Sequence, residues 1–372
     1  MDESTFFNTI DEHYQQQLPF VIYSKPDSPE ISCWLQHDSV LHKTTEFSES
    51  GFAFAPFDLN QCSILFPEAF CDRMVFTTEG FHEEHPNSPF DFEHDQKEDH
   101  MALVNLGISE IQNTPLEKVV LSRRKTINIE QPEPLTLFKR LFNRYKKAMV
   151  YCWYHPQVGL WIGATPELLL NVEGKSYTTV SLAGTKEIVE EKEAEWTPKE
   201  IEEQRIVTEY ILNEIEPYVS TKGVSSVETI RAGRLWHLKS IISGRLQSDA
   251  LGLEQLITAV HPTPAVCGFP KAIAKSFILT HEGYQREFYT GFLGELNIKT
   301  SISRNRNRKN VEHSAYQAVK SCTDLYVNLR CMQSEDHNIH IYVGGGITKD
   351  SDLESEWLET VAKTKTMLSV LF

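Results

Sequence analysis

Two segments of the chain each carry a pair of glutamates that are three residues apart: Glu200 with Glu203, and Glu356 with Glu359. On a helix this spacing places both carboxylates of a pair on one face. Four converging carboxylates repel one another unless a hard cation lies between them, and magnesium prefers carboxylates and water as ligands. The pairs therefore indicate either a magnesium site, with one direct ligand from each helix, or two ordinary acidic helix starts, because such glutamates stabilise the helix dipole.

Two single residues have the chemistry to move a proton. Lys118 begins an otherwise apolar strand, and a lysine that is partly desolvated near a cation can serve as a base. Glu167 lies just ahead of the apolar run 168–170, and a carboxyl group in apolar surroundings can stay protonated as a general acid. The alternatives are an exposed lysine at a strand end and an ordinary carboxylate in a turn.

Three consecutive glycines, Gly344, Gly345 and Gly346, stand between a predicted strand and a predicted helix. Glycines let backbone N–H groups approach an anion closely, and the start of a helix adds positive potential. A tight turn between a strand and a helix explains the same residues at least as well.

The elements that must position these residues follow from hydrophobic periodicity and capping residues. The segment 197–200 (TPKE) is typical of a helix start with a capping box, and it predicts a helix to about residue 216. Further helices are predicted at 101–112, 134–147, 251–260, 270–279 and 351–371. Strands are predicted at 118–127, 148–154, 158–162, 168–172, 176–182, 287–296, 324–332 and 339–343. This mixture predicts an α/β (α+β) fold with large sheets covered by helices.

Composition excludes several classes of partner. The 372 residues carry a net charge of −16, which argues against nucleic acid and anionic membranes. Seven cysteines without a C-x-x-C pair fit neither a zinc site nor a disulfide framework, and they favour a reducing cytoplasm. We expect no signal peptide and no membrane helix, since no apolar run approaches the roughly 18 residues required. The polar segments 81–100 and 300–310 are expected to be exposed loops.

Nine segments, in order, resemble the chorismate-binding enzymes, the family of isochorismate, salicylate, anthranilate and aminodeoxychorismate synthases. The segments are EKVVLSR (117–123), GATPELLL (163–170), SLAGT (181–185), KEIEEQ (199–204), HLKSIISGRL (237–246), HPTPAVCGFPKAIA (261–274), REFYTGFLGE (286–295), VNLRCM (327–332) and IYVGGGITKDSDLESEWLETVAKTKTML (341–368). The resemblance implies a β-sandwich core of large antiparallel-rich sheets covered by helices. Residues 101–372 would form the catalytic region, and residues 1–100 the weakly matched N-terminal part of the same fold.

The resemblance also implies a magnesium site and a chorismate orientation. Glu203 and Glu359 would bind Mg²⁺ directly, with Glu200 and Glu356 linked through water, and the ion would hold the ring carboxylate of chorismate. The same end of the substrate would be lined by the backbone of Ala183, Gly184 and Thr185. Lys363 lies one turn beyond Glu359 on the same helix face and matches a lysine near the metal and the carboxylate, and His237 matches a histidine close to the substrate.

The other end of the substrate would be held by an arginine and a tyrosine. Arg330 and Tyr289 match the residues that bind the enolpyruvyl carboxylate, with the backbone N–H groups of Gly344–Gly346 nearby, and an arginine fork suits a planar carboxylate. Arg286 is expected to form a structural ion pair. The sequence departs from the family at Gln204, where a histidine is usual, and in the longer segment 299–323.

Two positions sort the family members. Lys118 matches the water-activating lysine of the isochorismate and salicylate enzymes, and Ala183 replaces the nucleophilic lysine of aminodeoxychorismate synthases. We therefore expect an isochorismate synthase, in which Lys118 activates water for attack at C2 and Glu167 protonates the departing C4 hydroxyl. Salicylate synthase, an ammonia-dependent synthase component and a non-catalytic chorismate binder remain alternatives.

The expected reaction also sets the expected partners. Because water addition needs no ammonia, we expect a monomer without an obligatory amidotransferase subunit. The resemblance leaves open whether the product feeds menaquinone or a catechol siderophore.

Overall fold

The computed structural model describes residues 1–81, 96–128, 133–187, 194–232, 235–247, 253–302, 318–335 and 337–371. These ranges contain seven α-helices: α1 (Glu3–Gln15), α2 (Lys97–Asn113), α3 (Pro134–Arg144), α4 (Pro198–Ile215), α5 (Leu253–Val260), α6 (Lys271–His281) and α7 (Leu353–Leu371). None of the helices in these ranges is long and apolar enough to cross a membrane.

The strands form two large antiparallel sheets. In chain order they are β1 (Phe20–Ser24), β2 (Glu30–Gln36), β3 (Lys43–Thr44), β4 (Gly51–Ala55), β5 (Ser63–Pro67), β6 (Cys71–Thr77), β7 (Lys118–Asn128), β8 (Met149–His155), β9 (Gly159–Thr165), β10 (Leu168–Glu173), β11 (Ser176–Glu187), β12 (Val219–Val224), β13 (Glu228–Ala232), β14 (Leu235–Leu246), β15 (Gly268–Phe269), β16 (Phe292–Ile302), β17 (Ala318–Val327), β18 (Cys331–Glu335) and β19 (Asn338–Ile347).

The strand orders show how the two sheets are built. The first sheet runs β15-β7-β19-β18-β9-β8-β1-β2-β6, and the second runs β12-β14-β11-β10-β17-β16-β4-β5-β3, with β13 also pairing with β14. Strands from the first 77 residues enter both sheets, since β1 pairs with β8 and β4 pairs with β16.

An aromatic core fills the space between the sheets. Phe54 of the second sheet lies against Trp153 of the first, with ring centroids 4.7 Å apart, and Trp161 and Tyr342 belong to the same cluster. Helices cover the outer faces: α1, α3 and α7 pack on the first sheet, and α4 and α5 pack on the second. The expected β-sandwich of antiparallel sheets covered by helices is confirmed.

The local predictions for the helices and hairpins are confirmed in most cases. The capping box at Thr197 and Glu200 is present at the start of α4. The strands predicted at 148–154 and 158–162 form the hairpin β8–β9, and those predicted at 168–172 and 176–182 form the hairpin β10–β11. The strands β12, β13 and β14, which form the edge of the second sheet, were not predicted.

Three predicted boundaries are wrong. Residues 287–291 are not strand, and both Glu287 and Thr290 have positive φ values of 49° and 60°. The predicted strand 324–332 is broken at residues 328–330, where the chain passes from the second sheet to the first. The three glycines lie inside β19, opposite residues 120–122 of β7, and α7 begins only at Leu353.

Two predicted loops lie mainly outside the described residues. Of the segment 81–100, residues 82–95 are outside, and 97–100 already belong to α2. Of the segment 300–310, residues 303–310 are outside, and residues 300–302 continue β16. The longer segment 299–323 is described only at its two ends, which extend β16 and β17 and pair with each other.

Candidate active site

Two corners at which the chain changes sheets carry the central residues of the site. Glu167 follows β9 of the first sheet and precedes β10 of the second, and Arg330 follows β17 and precedes β18. Backbone hydrogen bonds join the corners, because the N–H of Val327 donates to the carbonyl of Glu167 (2.9 Å) and the N–H of Ala164 donates to the carbonyl of Arg330 (3.1 Å). The sandwich topology thus brings together residues that are far apart in sequence.

The carboxyl group of Glu167 is suited to proton transfer near neutral pH. Glu167 is only 6% exposed. Burial raises the pKa of its carboxyl group to about 7, although the positive charges of Arg330, Lys118 and Lys363 act to lower it. Burial penalises the charged form of a carboxyl group. Because Glu167 interacts with all three charges, the structure places these four predicted residues near one another.

Thr165 is a residue of the site that the sequence motifs did not indicate. It is fully buried, and its hydroxyl donates to the carbonyl of Val327 (2.6 Å) while accepting from the N–H of Glu167 (3.3 Å). It therefore fixes the corner that carries Glu167. The available signal was a threonine two residues before the candidate acid, within GATPE.

Lys118 lies at the start of β7, where its backbone pairs with Phe269 of β15. Its side chain is buried, and its ammonium group donates a hydrogen bond to the Glu203 carboxylate on α4. A methyl group at Gly346 would lie 3.0 Å from Cε of Lys118 and 3.9 Å from Oε1 of Glu203. The glycine therefore leaves the space that the lysine occupies, and Lys118 is not an exposed strand-end residue.

The two glutamates of α7, Glu356 and Glu359, lie beside β19, the strand that contains Gly345 and Gly346. A methyl group at Gly345 would lie 3.2 Å from Oε2 of Glu356 and 3.7 Å from Oε1 of Glu359. Lys363 donates to Glu359 (2.6 Å) and to the carbonyl of Gly344 (2.7 Å). Burial acts to raise the pKa of Glu359, but the charge and hydrogen bond of Lys363 outweigh it and the pKa is lowered. The predicted proximity of Glu359 and Lys363 is confirmed.

Glu200 completes the capping box at the start of α4 and lies close to Gly184. Its carboxylate accepts from the N–H of Thr197 (2.7 Å), and its other oxygen lies 3.6 Å from the ammonium of Lys186. Gly184 lies close by, since a methyl group there would be 3.4 Å from Cβ of Glu200. The capping role predicted as an alternative is therefore present, and the metal role of Glu200 stays a prediction.

The donor set of the four glutamates suits a hard divalent cation. Carboxylate oxygens from α4 and α7 approach neighbouring glycines of β19, and magnesium selects oxygen ligands. Across the described part of the chain, no three acidic, histidine or cysteine side chains are grouped closely enough to hold a metal ion. Lysines lie against Glu203, Glu359 and Glu200 instead. The residue chemistry therefore fits magnesium, while Glu203, Glu359 and Glu200 lie in separate ion pairs and Glu356 accepts from the hydroxyl of Ser351.

A β-bulge positions the segment 183–185. The register of β11 against β14 shifts between Ala183 and Thr185, and Gly184 takes a φ of 69°. Nδ1 of His237 lies 3.0 Å from the carbonyl of Gly184 and must donate to it, because a carbonyl only accepts. Burial, followed by the charge of Arg330, lowers the pKa of His237 to about 4. His237 is therefore a neutral imidazole at pH 7.

Tyr289 is buried, and Arg330 is partly exposed. The ring of Tyr289 stacks on Tyr342 with centroids 5.5 Å apart, and a methyl group at Gly344 would lie 3.1 Å from its hydroxyl. Arg330 has a φ of 47° and holds its guanidinium in the interior, where burial lowers its pKa and the charge of Glu167 opposes that shift. An arginine whose charge acts on both Glu167 and His237 is suited to bind an anionic ligand group.

Two further predictions concern supporting residues. Arg286 forms a buried ion pair with Glu282 and donates to the carbonyls of Val266 (3.0 Å) and Val120 (2.7 Å), which confirms its structural role. Gln204 is buried, and its amide donates to the carbonyl of Ser181 (3.1 Å). The glutamine thus anchors α4 on β11, where a histidine is usual in the family.

Comparison with known proteins gives a consistent family. A family model described as chorismate binding enzyme matches residues 70–301, and a second model with the same description matches residues 315–369. Isochorismate synthase DhbC of Bacillus subtilis is 27% identical over 325 residues, which cover 77% of this chain and 74% of that protein.

Two solved structures share the fold. DhbC from Bacillus anthracis has a TM-score of 0.77 at 23% identity, covering 98% of this chain and 99% of that one. MenF, the menaquinone-specific isochorismate synthase from Escherichia coli, has a TM-score of 0.75 at 20% identity, covering 97% and 90%. Since the first family model alone matches more than half of the residues, the chain belongs to the chorismate-binding enzyme family.

Proposed function

We propose that this chain is an isochorismate synthase, an isomerase that converts chorismate to isochorismate. The observation that carries the proposal is the buried Glu167, whose pKa of about 7 suits an acid, in the same charged site as Lys118. The similarity to Isochorismate synthase DhbC supports the same reaction.

The proposed reaction exchanges one hydroxyl position for another. Lys118, acting as the neutral amine, takes a proton from water as the water oxygen bonds to C2 of chorismate. The ring double bonds shift, the C4–O bond breaks, and Glu167 gives its proton to the departing hydroxyl, which leaves as water. A general acid or base at each step typically supplies about 10²–10⁴-fold in rate.

Charged groups on both sides of the acid orient the substrate. Arg330 and Tyr289 bind the enolpyruvyl carboxylate, with the backbone of Gly344–Gly346 nearby. The ring carboxylate lies toward Gly184 and Lys363. His237, which is neutral, lies at this end without adding positive charge.

The proposal includes a magnesium ion at the ring carboxylate. Glu203 and Glu359 would bind it directly, and Glu200 and Glu356 would bind it through water. When bound, the ion supplies positive charge that stabilises the developing negative charge near the ring carboxylate. In this structure Lys118 and Lys363 form ion pairs with the two proposed direct ligands and hold their carboxylates in place.

We also propose a cytoplasmic monomer that acts without an amidotransferase subunit. The relatives serve different pathways, so the product would enter either menaquinone or siderophore synthesis. The monomer without an amidotransferase subunit follows from a reaction that uses water and not ammonia.

The direct test is product analysis with the purified full chain. Chorismate and MgCl₂ are incubated with the wild type and with Glu167→Gln, and the products are separated by chromatography. We expect isochorismate from the wild type, at an unchanged rate when ammonium is added, and a loss of at least about 10²-fold in the variant. Salicylate formed without a lyase would indicate a salicylate synthase, ammonia-dependent product would indicate an amino-transferring synthase, and unconsumed chorismate would indicate a binding protein.

A further inference from the structure

Asn328 lies at the corner between β17 and β18, two residues before Arg330. Its side chain is completely buried at 0% exposure. An asparagine is poorly suited to the inside of an apolar strand, because its carboxamide must find hydrogen-bond partners when it is buried. One of the partners that it finds here, Phe288, adjoins the proposed substrate-binding residue Tyr289.

The carboxamide of Asn328 connects two separate segments. Its Nδ2 donates to the carbonyl of Phe288 (2.9 Å), and its Oδ1 accepts from the hydroxyl of Tyr151 on β8 (2.6 Å). The orientation is fixed chemically, because the Phe288 carbonyl can only accept and must therefore face the amide nitrogen. Phe288 immediately precedes Tyr289, so the amide holds the backbone beside that tyrosine.

The backbone of Asn328 holds the other side of the same turn. Its N–H donates to the carbonyl of Gly291 (2.8 Å), and its carbonyl accepts from the N–H of Thr290 (2.9 Å). Thr290 and Arg330 both have positive φ values, 60° and 47°. Such conformations are unfavourable for residues with side chains, above all β-branched ones, and they persist only where the surroundings fix them. Asn328 lies between the two strained positions and is bonded to the turn that contains one of them.

We propose that Asn328, oriented by Tyr151, is a positioning residue for substrate binding: it fixes the corner of Arg330 and the turn of Tyr289 relative to each other. The proposal rests on the proposed function. In it, one buried amide sets the distance between the two groups that bind the enolpyruvyl carboxylate. Binding geometry at this carboxylate is the same before and during the reaction, so the effect falls on KM more than on kcat.

The test compares variants of the full chain in steady-state turnover of chorismate, with the melting temperature recorded for each. Asn328→Ala removes both side-chain bonds, and Tyr151→Phe removes only the hydroxyl that orients the amide. Asn143→Ala is the matched control, because Asn143 also fixes backbone through both ends of its amide, by bonds of 2.8 and 2.9 Å to Phe81. A purely structural role would lower the melting temperature of Asn328→Ala and Asn143→Ala alike and leave KM unchanged.

We expect Asn328→Ala to raise KM by about tenfold or more with kcat changed by less than about threefold, Tyr151→Phe to raise KM by about threefold, and Asn143→Ala to leave KM unaltered. If Asn328→Ala does not fold, Tyr151→Phe decides alone. An unchanged KM in the folded variants, or an equal rise in the control, overturns the positioning role while the proposed function stands. A wild type that does not convert chorismate overturns the proposed function and this inference together.

Discussion

Lys118 and Glu203 form an ion pair, in which the lysine ammonium donates a hydrogen bond to the glutamate carboxylate. Lys118 begins β7 of the first sheet, whereas Glu203 lies on α4, which packs on the second sheet. The pair joins the proposed base to a proposed magnesium ligand across the two layers. Replacing either residue therefore removes the partner of the other.

Replacing Lys118 by alanine is expected to stop turnover without unfolding the chain. The lysine supplies the proposed base at the end of a strand, so its loss should lower kcat by about 10²–10⁴-fold. Steady-state kinetics and the melting temperature measure the two effects. Lys139→Ala is the control, because Lys139 forms a surface ion pair of 3.1 Å with Glu3. Near-normal kcat in Lys118→Ala would show that another group activates the water.

Glu167 should impose a pH dependence on turnover. The acid must be protonated to release the C4 hydroxyl, and burial raises its pKa to about 7. We therefore expect kcat to fall as the pH rises through about 7. The measurement is the pH profile of kcat for the wild type and for the residual activity of Glu167→Gln. An amide does not titrate, so the same fall of kcat in both proteins would show that a group other than Glu167 causes it.

The same carboxyl group should make the folded state less stable as the pH rises. Its pKa is raised from 4.5 when unfolded to about 7 when folded. Between these pH values the folded chain holds a proton that the unfolded chain has lost. The contribution of Glu167 to the free energy of unfolding is therefore complete below pH 4.5 and is lost as the pH rises through about 7. The free energy of unfolding should fall by at most about 1.4 kcal/mol per pH unit from this one group.

Urea unfolding at pH 5 and pH 7.5, each about half a unit above the unfolded pKa of 4.5 and the folded pKa of about 7, measures this contribution. The wild type should lose stability between the two values by more than Glu167→Gln does, because the variant lacks the titrating group. Equal losses in the two proteins would mean that Glu167 is charged in the folded state throughout this range.

Magnesium should stabilise the folded chain if the glutamates bind it. A ligand at 100 times its Kd adds about 2.7 kcal/mol of stability. After chelator treatment, the melting temperature should rise with added MgCl₂, and Glu359→Gln should require about tenfold more of the ion or more. Glu354→Gln is the control, because Glu354 lies on the same helix but pairs with Lys97 at 2.7 Å. An identical magnesium response in Glu359→Gln would exclude Glu359 as a ligand.

A methyl group on β19 should displace the proposed base. At Gly346 it would lie 3.0 Å from Cε of Lys118, so the lysine must shift by a few tenths of an ångström. We expect Gly346→Ala to lower kcat on the order of tenfold, since small displacements of reacting groups are costly. Gly223→Ala is the matched strand control, because its nearest neighbour would be 3.8 Å away. Equal kcat values for both variants would show that Lys118 tolerates the displacement.

Sequence alone was sufficient where structure depends on nearby residues. The capping box at Thr197 predicted the start of α4, because each capping partner lies within one helical turn. The i,i+4 spacing likewise predicted the proximity of Glu359 and Lys363, which are hydrogen-bonded at 2.6 Å. The order of the motifs predicted the family, which the family models confirm.

Tertiary structure decided the features that depend on distant strands. The glycines at 344–346 continue β19 because β7, more than 200 residues earlier, supplies their pairing partners. The strand predicted over 324–332 breaks because its two halves pair in different sheets, and this break creates the corner that carries Arg330. The sequence determined which groups could do the chemistry. Only long-range pairing decided that Lys118 lies on Glu203 and that Glu167 is buried among positive charges, because neither relationship is encoded in local spacing.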